Sequence, residues 1–73
     1  MAKPLFNDAA ITCLIEIHSR LTEASQILKA AEASAHAGSL PEAVTISMDI
    51  EPLIYEAGRL HDAASLLNRL SQA

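Results

Sequence analysis

Tryptophan is missing from this chain, Phe6 and Tyr55 are its whole aromatic content, and Cys13 is its one cysteine. So few aromatics leave no stacking platform for bases or a sugar ring. A single cysteine closes no disulfide within the chain and builds no thiolate metal cluster there. Basic residues are also scarce: five Lys and Arg against nine Asp and Glu give a formal charge of -4 at pH 7. That balance repels phosphate backbones and anionic membrane surfaces, so neither nucleic acid nor a membrane is expected as a partner. No apolar run approaches the roughly 20 residues of a membrane span, and the first residues lack the apolar stretch of a signal peptide. Together with the lone cysteine, this makes the cytoplasm the expected location.

Recognisable chemistry is absent as well. The two glycines, Gly38 and Gly58, stand twenty residues apart and form no phosphate-cradling loop. Serines and threonines are scattered without a nucleophile, base and orienting acid in a known order. His18 and His61 are expected to lie close across the molecule. A di-iron bundle would need Glu-x-x-His, and Ile15 and Gly58 occupy the positions three before them. His36, four after Glu32, suits the negative end of a helix. Cys13 reads as a small apolar residue beside Leu14. The chain is therefore expected to be no enzyme and to need no cofactor or metal.

What is present is helical periodicity. At 73 residues there is room for one domain, and a chain of this size buries only roughly 60% of its unfolded surface. Gly38 and Pro41 punctuate the middle: Gly38 suits a left-handed helix terminator, and Ser39 with Glu42 spells a capping box around Pro41. The expected helices are about 8–37, starting from a cap at Asn7 or Asp8, and about 41–70, with the turn at 38–40. In the first, Ala10, Leu14, Ile17, Leu21, Ala24, Leu28, Ala31 and Ala35 alternate steps of four and three. In the second, Ala43, Ile46, Ile50, Leu53, Ala57, Leu60, Ala64 and Leu67 do the same. If the chain folds back at Gly38, the two stripes meet in register, with small residues facing large ones, as Ala24 faces Leu53 and Leu14 faces Ala64. Pro52 removes the bond to the Met48 carbonyl and should kink the second helix, and Gly58 weakens it further. A break at either residue is the alternative to a kink.

The expected fold is thus all-α, a single domain over 1–73 built as an antiparallel two-helix hairpin. One stripe per helix satisfies the hairpin, yet apolar residues remain on its flanks: Ile11, Ile15, Ile27, Val44, Met48, Ile54, Leu66 and Leu70. A hairpin alone cannot cover them. A homodimer forming a four-helix bundle can, because a two-fold interface uses one patch twice. Tyr55, beside Pro52 among Asp49, Glu51 and Glu56, is a further anchor for a partner. Arg59 and Arg69 are expected to pair with acids.

The expected function is a small, non-enzymatic protein–protein interaction or regulatory module that binds itself and another protein. Its alternatives are a heterodimer subunit and an RNA-binding hairpin dimer, the latter opposed by the acidic charge. Turning at Gly38 and restarting with Pro41-Glu42, the chain is similar in outline to the helical-hairpin co-chaperones of type III secretion needle proteins. That resemblance implies a hairpin that needs a partner protein.

Overall fold

The computed structural model describes residues 2–72, with side chains from Leu5 onward. It is all-helical: α1 (Ala2–His36), α2 (Leu40–Ser47), a 3-10 turn (Met48–Ile50) and α3 (Glu51–Gln72), with no strand among the described residues. The α1 helix begins earlier than the Asn7–Asp8 cap expected from sequence. Pro4 falls in its first turn, where no N–H needs an intrahelical partner. Asp8 is already interior, its carbonyl accepting the Thr12 hydroxyl at 3.0 Å.

The end of α1 follows from Gly38, whose φ of 94° lies in the left-handed region. The Gly38 amide donates to the Ala35 carbonyl and the Ser39 amide to the Ser34 carbonyl, both at 3.0 Å. This is the Schellman pattern, which satisfies carbonyls the helix leaves free. Ser39 then precedes α2, and its carbonyl accepts the Ala43 amide at 3.0 Å. The expected capping box does not close: the Ser39 hydroxyl lies 3.3 Å from the Glu42 carboxylate and makes no bond to the backbone of α2.

Proline geometry sets the second irregularity. Pro52 has no N–H to donate to the Met48 carbonyl, so the chain tightens for one turn and the Glu51 amide takes that carbonyl instead. Pro52 then stands in the first turn of α3, where proline is tolerated. The irregularity therefore falls just before Pro52, while Gly58 lies inside α3.

The α1 helix packs against both α2 and α3, and the molecule measures 57 × 13 × 12 Å. At 1.5 Å per residue, α1 alone spans about 52 Å, so the two arms lie side by side over their whole length. Among the described residues five are buried, all of them alanines: Ala24, Ala31, Ala43, Ala57 and Ala64. Between them run half-buried residues, Ala10, Cys13, Ile17, Arg20 and Ile27 on α1 and Ile46, Ile50, Leu53, Leu60 and Leu67 on the other arm.

For the second arm this is the stripe read from the sequence. For α1 it is rotated by one residue. Leu14, Leu21 and Leu28 were expected in the stripe and are instead 56%, 47% and 40% exposed; Cys13, Arg20 and Ile27 take their places. The reason is the size of the residues at closest approach. Alanines on α1 face a layer that Ile46, Leu53, Leu60 and Leu67 of the other arm already fill, so the α1 leucines turn to the flank.

Candidate functional site

The rotated stripe defines heptad positions. On α1, a is Ala10, Ile17, Ala24 and Ala31, and d is Cys13, Arg20, Ile27 and Ser34; on the other arm, a is Ala43, Ile50, Ala57 and Ala64, and d is Ile46, Leu53, Leu60 and Leu67. The flanking positions e and g then fall on opposite sides of the contact.

One interaction shows which flanks lie together. Arg20 donates from Nη1 to Glu16 Oε1 at 2.8 Å and from Nε to Glu56 Oε1 at 3.0 Å. These two bonds, with Glu16 first and Glu56 second, hold the Arg20 guanidinium above its ordinary pKa. Glu16 and Glu56 both occupy g, so the g flanks of the two arms share one side. That side also carries Glu23, Glu42 and Asp49 at g, which makes it acidic. The e flanks, Leu14, Leu21, Leu28 and Ala35 with Leu40, Ser47, Ile54, His61 and Asn68, hold no Asp, Glu, Lys or Arg. The molecule thus has a g side lined with carboxylates and an e side carrying leucines, the latter bordered at b by Glu32 and Glu51.

The residues expected to face a partner divide between these surfaces. Ile27 is half-buried in the stripe between the arms. Ile54 lies at e, and Ile11 and Val44, at b, border the same side; all three are exposed. Ile15, Met48 and Tyr55 occupy f and point away from the contact, while Leu66 and Leu70, at c and g, lie toward the acidic side, all exposed. Of these nine residues, Ile11, Val44 and Ile54 lie on the e side. Leu14, Leu21 and Leu28 join them there, and sequence reasoning assigned those three to the stripe. Their even spacing of seven fits a flank as well as a stripe, and Arg20 is the polar residue that takes the stripe position instead.

Around Tyr55 the contact is local. Arg59 Nη1 donates to the Tyr55 hydroxyl at 2.7 Å, and its guanidinium carbon sits 5.5 Å from the ring centroid, so Arg59 turns to an aromatic ring rather than to an acid. His18 and His61 are both exposed. Among the described residues no three His, Cys, Asp or Glu side chains converge as a metal would require, and no helix is long and apolar enough to cross a membrane. The chain matches no protein-family profile, no curated protein and no solved structure.

Proposed function

We propose that this protein is a non-enzymatic protein–protein interaction module: an antiparallel helical hairpin that pairs with a second copy as a four-helix bundle, resides in the cytoplasm, and offers its remaining surface to another protein. The observation that carries this reading is the mismatch between core and surface. Among the described residues only alanines are buried, whereas thirteen large apolar side chains are 40% or more exposed. Burying a Leu or Ile fully contributes about 1.5–3 kcal/mol, and alanine supplies far less, so the hairpin by itself leaves most of its hydrophobic stabilisation unrealised. Association is the direct way to realise it.

Charge favours protein over nucleic acid as the further partner. Two of the five basic residues, Arg20 and Arg59, already engage Glu16, Glu56 and Tyr55 within the chain. No basic stripe results, and phosphate binding requires one.

Light scattering on the purified chain across a range of concentrations tests the reading. The expected result is twice the chain mass and a Tm that rises with concentration. A monomer at every concentration, with cooperative unfolding and a concentration-independent Tm, overturns it. A poorly ordered, aggregating chain would transfer the missing helices to a different protein.

A further inference from the structure

Resting on that reading, we infer where the second copy sits and how it is oriented: it covers the leucine side, its turn points to the opposite end, and Leu21 of one protomer meets Leu21 of its partner on the two-fold axis.

Area indicates that a partner surface of this size is missing. A compact monomer of this mass exposes about 4,400 Å². The chain exposes 5305 Å², an excess of about 900 Å² over that figure. A standard stable interface removes about 800 Å² from each partner, so one copy accounts for the excess.

Charge selects the side. Glu16, Glu23, Glu42, Asp49 and Glu56 crowd the g flanks, with Arg20 as the cation bound between two of them. Two copies meeting there would set like charges against each other across a closing, water-poor interface. On the e flanks the large apolar residues are Leu14, Leu21, Leu28, Leu40 and Ile54. A copy therefore approaches from that direction.

Register selects the orientation. Arg20 and Glu56, joined at 3.0 Å, stand at one level along the arms. Counting from that pair, Ile54 lies within about one residue of the level of Leu21, His61 near Leu14, and Ser47 near Leu28. A two-fold running along the arms would bring α1 of one copy onto α2 and α3 of the other, and so place Leu14 against His61 and Leu28 against Ser47. A two-fold crossing the arms at Leu21 brings α1 onto α1: Leu21 meets Leu21, Leu14 meets the partner's Leu28, and Ile54 meets Ile54. Only the second pairs each of the three α1 leucines with another leucine; on the other arm Leu40, at the same flank, lies near Asn68 in this arrangement. The second also overlaps the arms almost fully, because Leu21 lies close to the midpoint of α1 (Ala2–His36).

Cysteine cross-linking of the full chain reads this arrangement out. With Cys13→Ser as background, Leu21→Cys under a short bismaleimide is expected to run mostly at twice the chain mass. Leu14→Cys alone should stay unlinked, and an equimolar mixture of Leu14→Cys and Leu28→Cys chains should link. Linkage of Leu21→Cys with Ile54→Cys chains, in place of Leu21→Cys with itself, overturns the orientation. A dimer by light scattering in which neither Leu21→Cys nor the Leu14→Cys and Leu28→Cys mixture links overturns the leucine interface and leaves self-association standing. A chain that is monomeric throughout overturns both.

Discussion

Gly38 and Gly58 show how one residue type does two different things here. Gly38 holds a φ of 94°, which an L side chain adopts only with strain, and it does so where two backbone bonds close the end of α1. Gly58 sits in the regular interior of α3, and a Cβ built there meets nothing within 4 Å. The same substitution should therefore have opposite signs. Gly38→Ala is expected to destabilise by about 1–2 kcal/mol, lowering Tm by several degrees. Gly58→Ala is expected to stabilise by about 0.5–1 kcal/mol, through helix propensity and a less flexible unfolded chain. Thermal unfolding by circular dichroism at one fixed concentration checks both. Arg20 makes a different point at this scale. Read alone, an arginine in an apolar stripe argues against that register, yet its aliphatic stem lies along the contact while its head reaches Glu16 and Glu56.

Elements behave as their terminators instruct. The Schellman closure at Gly38 and the 3-10 turn before Pro52 are both solutions to unsatisfied carbonyls, and both were legible from a glycine and a proline. In a regular helix interior Pro52 would cost about 3 kcal/mol. By passing the Met48 carbonyl to the Glu51 amide, the chain makes Pro52 a first-turn residue and removes most of that cost. Pro52→Ala is accordingly expected to change stability by less than about 1 kcal/mol, in contrast to the gain that an interior proline would predict. Equilibrium denaturant unfolding measures it, and a gain near 3 kcal/mol would show that the turn before α3 remains strained.

At the scale of the whole molecule, the alanine contact explains both the slender shape, 57 × 13 × 12 Å, and the surplus of apolar surface. Helices that meet through alanine approach closely but bury little. The larger side chains are displaced to the flanks, where they are available to a partner. A polar substitution on the leucine side should separate from one elsewhere: Leu21→Asn is expected to shift the chain toward monomer and lower Tm by several degrees. Ile15→Asn, on an f position facing outward, should leave mass and Tm nearly unchanged. Sedimentation velocity on the two variants at equal concentration makes the comparison, and equal behaviour would remove the distinction between the two surfaces.

Local chemistry was enough to decide what the sequence decided: helical arms, a reversal near Gly38, an irregularity near Pro52, and the a and d positions of the second arm. Periodicity, left-handed backbone and a missing N–H are properties of a residue and its near neighbours, so they can be read without coordinates. For α1, two registers shared Ala10, Ile17, Ala24 and Ala31, and periodicity alone could not separate them. Tertiary structure decided between them because the distance between helices depends on both partners at once. Ile46, Leu53, Leu60 and Leu67 of the second arm fill the space between the helices opposite the α1 alanines, and Leu14, Leu21 and Leu28 become surface.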